Sequence, residues 1–293
     1  MTNEPLVTIL MPAYNHESFV KEAIESLIQQ EYKNIELIIT NDGSTDDTHE
    51  RILELSDECR SRFTNFKYIN RPNKGLIKTL KEMEKLINGK YLSILYSDDI
   101  YTPNRIKNQV NALENNKEYA LCYGNMVGID ENSNVVKEYK KKYAKSGNVF
   151  NELLVRNFIP APTVMMRTDI FKIVGGYDVN FDYDDYPLWL KIAHKHKILY
   201  LNEDFVYYRT HGNNVSSNMV RTLSFTESVL LSWSKEKTFP KTIKRFYLRS
   251  FYNLAKCGEE HKQKSKEYMI KALPKSWYDP RFIKSVFRYY SKK

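Results

Sequence analysis

Cysteine is scarce in this chain. There are three in 293 residues, Cys59, Cys122 and Cys257, far apart and without a Cys-x-x-Cys pair. That argues against a disulfide framework or a thiolate zinc site and fits reduced thiols in a cytosol. No apolar run reaches the ~18 residues of a membrane-spanning helix, so none is predicted. The opening MTNEPLVTILMPAYN has no basic stretch followed by an apolar one, which predicts no secretory leader. Repeats at a fixed period are missing. No G-x-G-x-x-G follows the first apolar run and there is no P-loop, which excludes the common dinucleotide-binding and P-loop readings.

What is present is an ordinary globular composition, 42% apolar and 28% charged. The net charge of +9 is unevenly spread. Residues 235–293 hold 17 Lys/Arg against 5 Asp/Glu, while the first 234 hold 28 against 31. A near-neutral body with a cationic appendage follows. A pI near 9.1 raises nucleic-acid binding. The charge is confined to the tail and no recognised motif accompanies it, so no nucleic-acid partner is expected.

Short apolar runs alternate with amphipathic stretches along the first half. Strands are predicted at 6–11, 35–40, 66–70 and 91–96, and helices at 16–30, 46–60 and 76–87. Another helix opens at Pro103. This alternation predicts an α/β fold with a mostly parallel sheet flanked by helices. Further strands are expected at 120–123, 163–166 and 198–208, a loop or hairpin at 135–145, and a helix at 185–196. Helical patterns fill 223–234, 242–256, 262–273 and 281–290. Residues 1–217 are therefore read as the α/β body and 218–293 as a helical, basic C-terminal region.

Ligands of such sheets bind beyond the C-terminal ends of the strands. Three polar clusters fall there: Pro12-Ala13-Tyr14-Asn15, Asn41-Asp42-Gly43-Ser44 and Ser97-Asp98-Asp99. Asp98-Asp99 reads as an acidic turn before a helix or as oxygen ligands for a hard divalent cation. Asn41 to Ser44 reads as a generic turn, or as a base-binding Asp42 beside a Gly43 that lets a ligand approach. Asp184 and Asp185 read as helix caps, or Asp185 as a general base. Trp189 is core or an acceptor-stacking platform. His211 is structural or a metal ligand, and Arg209 a phosphate partner. Lys74, Gly75 and Lys78 lie where a helix start could meet phosphate.

Together these segments resemble the family 2 glycosyltransferases, which have the GT-A nucleotide-sugar-binding fold. The resemblance runs from Leu6 to Asn214. It rests on Val7 to Asn15, Glu36 to Asp46, Asn73-Lys74-Gly75, Ser97-Asp98-Asp99 with Pro103 and Arg105, Gly175-Gly176-Tyr177-Asp178, Asp184-Asp185-Tyr186 with Leu188-Trp189-Leu190, and Tyr208-Arg209 with His211. It implies that Pro12, Ala13, Tyr14 and Asn15 line the nucleoside pocket and that Asp42 meets the base. Lys74, Gly75, Lys78, Ser97 and Asp98 complete the donor site. Asp99 with His211 would hold Mn²⁺ or Mg²⁺. Asp185 would be the base, and Asp184 and Trp189 would face the acceptor.

The implied reaction is inverting transfer from a nucleotide-diphosphate sugar, UDP-linked by family frequency, to a glycan or lipid-linked acceptor in bacterial surface polysaccharide assembly. Departures are Asn41 for the usual aspartate, Asp184 for glutamate, and Lys78 and Lys81 around the usual arginine position. The Gln-x-x-Arg-Trp motif of processive synthases is missing, so a single sugar is expected to be added. A cytoplasmic enzyme at the inner face of the membrane follows if the aromatic and cationic 280–293 segment meets anionic lipid. Packing of that segment on the body is the alternative. A catalytically inactive member that binds nucleotide sugar or glycan is the competing function.

Overall fold

The computed structural model describes residues 4–139, 143–212, 218–257 and 261–291. Strands β1 (Val7–Ala13) and β2 (Ile35–Asp42) are buried along their whole length, as apolar strands covered on both faces should be. With β3 (Asn65–Arg71) and β4 (Tyr91–Ile94) they form a parallel set in the order β3-β2-β1-β4. Helix α1 (Val20–Ile28) buries Val20, Ala23, Ile24 and Leu27, the stripe that a 3.6-residue period puts on one face. The long helix predicted over 46–60 is two helices, α2 (Thr48–Glu54) and α3 (Ser56–Arg62). At the break, Ser56 Oγ donates to the Ile52 carbonyl at 3.1 Å, a side-chain bond that competes with the helical ladder. Helix α4 (Leu76–Met83) follows β3.

Beyond β4 the sheet turns mixed. After the short β5 (Ile100–Tyr101) and α5 (Arg105–Asn115) come β6 (Tyr119–Ile129) and β7 (Val135–Tyr139). Then follow α6 (Phe150–Val155), β8 (Met165–Arg167), α7 (Thr168–Ile173), α8 (Asp185–Ala193) and β9 (Lys197–Arg209). The full order is β3-β2-β1-β4-β8-β6-β9-β5, with β7 paired to β6. β8 runs antiparallel to both β4 and β6, while β9 is parallel to β6. The polar stretch read as a loop or hairpin is thus a hairpin strand over Val135–Tyr139; residues 140–142 lie outside the described ones. β9 brings its C-terminal residue, Arg209, beside Ile129 of β6.

The chain divides into two compact units. The first comprises Met1–Phe150 and Phe158–Gly212 and holds the sheet. The second comprises Asn151–Asn157 and Asn213–Lys293. Its helices are α9 (Met219–Ser232), α10 (Phe239–Leu254), α11 (Lys262–Ser276) and α12 (Pro280–Ser291). Phe225, Val229, Phe246, Phe251, Tyr268 and Phe282 are among its buried side chains. Its polar centre is Glu227, 7% exposed, which accepts from Tyr247, Tyr268 and Lys271 at 3.0, 3.2 and 2.6 Å. That many donors satisfy the buried carboxylate. In α12, Phe282 packs against Phe251 at 5.5 Å, while Ile283, Phe287 and Tyr290 stay exposed. No helix of the described residues is long and apolar enough to cross a membrane.

Candidate active site

Three loops at the C-terminal ends of β1, β2 and β4 meet. Pro12 and Ala13 end β1 buried, and Tyr14 is 47% exposed. Asn15 then turns into the left-handed region at φ 51°. It clasps the β2 loop: its N–H donates to Ser44 Oγ at 2.9 Å and its Oδ1 accepts from the Thr45 N–H at 2.8 Å. Gly43 sits at φ +72°, and a Cβ there would lie 2.4 Å from the Asn73 backbone nitrogen. The close approach that glycine permits is therefore made by the 72–73 backbone.

Asp42 is 4% exposed and well engaged. Its Oδ1 accepts from the Arg71 guanidinium and from the Lys74 N–H at 2.9 Å, and its Oδ2 from the Gly75 N–H at 2.9 Å. An ionised carboxylate has about four acceptor positions, so room for one more donor remains. The amides at the start of α4, expected to meet phosphate, point at Asp42 instead. The Lys74 ammonium pairs with Glu82 at 2.6 Å, and Lys78 is exposed. Asn41 donates to Asn70 Oδ1 at 3.0 Å and accepts from Ser44, so its amide serves both neighbours where a carboxylate could only accept.

The acidic pair after β4 splits. A turn closed by the Asp99 N–H on the Tyr96 carbonyl at 3.0 Å separates the two side chains, and the consequence is large. Asp98 faces outward to His211, with Oδ2 and Nε2 3.0 Å apart and the two side chains 13% and 5% exposed. Asp99 is 1% exposed; its Oδ1 accepts from the Arg209 N–H at 3.0 Å, and its Oδ2 has no partner among the described residues. Burial, then the charge of Asp98, drives the Asp99 carboxyl well above its ordinary range, against the pull of Arg209 and Arg105. The expected metal pair of Asp99 and His211 is not brought together in this way, since it is Asp98 that meets His211. The ligand-like group is His16, Asp98 and His211, one atom from each lying within 4.8 Å of the others. Two imidazoles and a carboxylate are a donor set that suits a divalent first-row ion.

His16 was not singled out by the sequence. Its Nδ1 lies 2.7 Å from Ser97 Oγ, and Ser97 is itself buried. Burial, the leading influence, lowers the His16 pKa from its ordinary value, against the pull of Asp98.

Arg209, expected to meet phosphate, is fully buried and spent inside the protein. Its Nε donates to the Asp98 carbonyl at 2.9 Å. Nη1 donates to the Asp130 carbonyl at 2.9 Å, the Glu131 carbonyl at 3.2 Å and Ser133 Oγ at 3.0 Å. Nη2 donates to Glu22. The guanidinium thus ties the Asp98 loop to α1 and to the β6–β7 turn.

Asp184 caps α8 by position only, making no side-chain cap bond. Its carboxylate turns to the Tyr96 hydroxyl, 2.6 Å away. Burial, then the charge of Asp185, pushes the Asp184 pKa up to about 7. Asp185, the first residue of α8, is half-buried. Trp189 is 3% exposed, with an indole N–H that has no partner among the described residues, so it packs as core and presents no open stacking face. Tyr96 carries no functional signal in the sequence, because an aromatic at the end of an apolar run looks like packing.

A pH prediction follows from Asp184. A folded carboxyl titrating near 7, against 3.8 when unfolded, stabilises the fold fully below about pH 4. That contribution is lost as pH rises through about 7, at up to about 1.4 kcal/mol per pH unit. Urea unfolding of Asp184→Asn is expected to show a flatter decline between pH 4 and 8 than the parent. An unchanged slope would mean that Asp184 is ionised throughout.

Residues 8–175 match the family described as Glycosyl transferase family 2. Over 229 residues the chain is 32% identical to the Escherichia coli UDP-Glc:alpha-D-GlcNAc-diphosphoundecaprenol beta-1,3-glucosyltransferase WfgD, covering 77% of this chain and 85% of that one. Among solved structures, S. aureus TarS 1-349 in complex with UDP-GlcNAc superposes with a TM-score of 0.64 at 16% identity, covering 97% of this chain and 80% of that one. The mannosyltransferase PcManGT from Pyrobaculum calidifontis, in complex with GDP-Man and Mn²⁺, gives 0.64 at 12% identity, covering 99% and 85%. Identities that low bear on the fold alone, and the fold is GT-A. The family pattern spans more than half of the chain and includes the β1, β2 and β4 loops that build the site, so this chain belongs to the family 2 glycosyltransferases.

Proposed function

We propose that the chain transfers a single sugar, with inversion, from a nucleotide-diphosphate sugar to a lipid-linked or glycan acceptor, in a metal-dependent reaction on the cytoplasmic side of a membrane. Residues 1–217 carry the catalysis in this reading. The observation that carries it is the Asp98–His211 pair at the rim where the β1 and β4 ends meet, a pair able to hold a cation at the C-terminal edge of a parallel sheet. Asp98 and His211 would hold the ion, which supplies positive charge against the departing diphosphate.

Pro12, Ala13, Tyr14, Asn15 and Asp42 take the nucleoside in this reading, Asp42 through its remaining acceptor position. Asp185 takes the proton from the acceptor hydroxyl as that oxygen bonds to the anomeric carbon and the bond to the diphosphate breaks. Asp184 is kept protonated up to about pH 7 beside it.

UDP-linked donors are favoured by the names of WfgD and of the TarS complex. A lipid-linked acceptor is favoured by the diphosphoundecaprenol in the name of WfgD. It is also favoured by the exposed Trp277, Tyr278, Ile283, Phe287 and Tyr290 within a cationic segment, the composition of a surface that meets anionic lipid.

The test is a panel of nucleotide sugars offered with Mn²⁺, Mg²⁺ or EDTA and a polyprenyl-diphosphate sugar acceptor in anionic vesicles. One donor consumed only with metal, an inverted anomer in the product, and loss of turnover in Asp98→Ala are the expected results. A donor bound without turnover under every condition would favour the inactive binding module. No binding of any donor would end the reading.

A further inference from the structure

His16 is not required by the reading above, yet it faces the same point as Asp98 and His211. Its backbone is pinned on both sides. The N–H donates to Thr48 Oγ1 at 2.8 Å, and the carbonyl accepts from the N–H groups of Phe19 and Val20 at 3.0 and 2.9 Å. The ring is fixed too: Nδ1 is engaged by Ser97 Oγ at 2.7 Å, which leaves Nε2 as the remaining nitrogen. The His16 and His211 rings meet edge to face at 5.6 Å, and Phe19 packs on both, at 6.1 and 5.1 Å. A hydroxyl on one imidazole nitrogen is how proteins orient the other toward a metal.

We propose that His16 is a third protein ligand, so that two imidazoles and one carboxylate hold a first-row transition ion such as Mn²⁺ in preference to Mg²⁺, and hold it before any nucleotide binds. The inference rests on the reading that Asp98 and His211 hold a divalent ion. Mg²⁺ demands oxygen ligands in near-ideal octahedral geometry, whereas imidazole suits the later first-row ions best, and Mn²⁺, the weakest binder of that row, still accepts nitrogen more readily than Mg²⁺ does. Two protein ligands alone would leave an ion dependent on donor phosphates to complete its shell. A third makes the protein a binding site in its own right. The competing account is that the bonds to Ser97 and Thr48 make His16 only a pin between loops.

The experiment titrates the full chain, free of nucleotide, with Mn²⁺ alone and with Mg²⁺ alone. Affinities are read by calorimetry, and the number of coupled ¹⁴N ligands is read by electron spin echo modulation of the bound Mn²⁺. The expected result is nucleotide-free Mn²⁺ binding with two nitrogens, favoured over Mg²⁺ on the order of tenfold or more. His16→Gln, checked for folding by its melting curve, should drop to one nitrogen and lose on the order of tenfold or more in Mn²⁺ affinity. The nitrogen count of the unaltered protein depends on no variant. One nitrogen in that protein, or an unchanged affinity in His16→Gln, overturns the proposal. Mn²⁺ bound only with added UDP, through one nitrogen, sinks His16 as a ligand and leaves the Asp98–His211 reading standing. No Mn²⁺ bound with or without UDP removes both.

Discussion

Replacing Asp185 by asparagine is expected to lower the transfer rate by about 10²–10⁴-fold, the usual contribution of a positioned base, while leaving donor and metal binding within a few-fold of the parent. The amide keeps the size and polarity of the side chain at the start of α8 but takes no proton. The loss should therefore fall on kcat with acceptor present and spare the binding of nucleotide sugar. Asp184→Asn supplies the contrast. Asp184 is buried against the Tyr96 hydroxyl and is largely protonated below about pH 7. Its replacement should change the pH profile more than the maximal rate. If Asp184→Asn were the dead variant and Asp185→Asn the active one, the base would have to be reassigned to Asp184. Transfer rates with saturating donor, measured from pH 5 to 9, separate the two outcomes.

Arg209→Ala is expected to cost about 3–5 kcal/mol of stability, the range for truncating a large buried side chain, and to abolish metal binding with it. Glu22, the ionic partner, has a side chain 43% exposed, so water screens much of the attraction between the two. The greater part of the cost comes from elsewhere. The carbonyls of Asp98, Asp130 and Glu131 and the hydroxyl of Ser133 would lose their donor in a partly buried site. A cavity would open beneath Phe19, whose ring lies 4.9 Å from the guanidinium carbon. Arg209→Lys keeps a charge but not the planar fork that serves these acceptors together, and should fall between the two. Glu22→Gln should be mild. Urea unfolding measures the set. An Arg209→Ala protein within 1 kcal/mol of the parent would show that the network is dispensable, and full Mn²⁺ affinity in it would show that Asp98 is held by other means.

Much of the architecture was readable from the chain. Short runs as rich in apolar residues as those of β1 and β2 read as strands covered on both faces, and the Val20, Ala23, Ile24, Leu27 spacing reads as a helix with one buried side. The site was legible as a set of segments, because polar clusters directly after buried strands must lie at the sheet's rim. The roles of single residues inside those segments were not. Asp98 and Asp99 are chemically identical and adjacent. Which of them faces His211 depends on the direction in which the chain leaves β4 and on β9 offering the Arg209 N–H to the other.

The same holds for the side chains that changed role. Arg209 reads as a phosphate ligand in sequence, yet the pairing of β9 with β6 puts it under the β6–β7 turn, where backbone carbonyls, the Ser133 hydroxyl and the Glu22 carboxylate take the arms of the guanidinium. The amides of Lys74 and Gly75 read as an anion site, and an anion does sit on them, but it is Asp42 from β2. His16 carries no signal of its own; it joins Asp98 and His211 only because the β1, β4 and β9 ends converge. The sequence by itself determined the elements, their alternation and the family, since those follow from local periodicity and from short motifs in order. Tertiary structure alone decided which carboxylate is presented and which cation is buried, because that choice is made by hydrogen bonds between residues more than a hundred positions apart, such as Asp98 with His211 and Asp99 with Arg209.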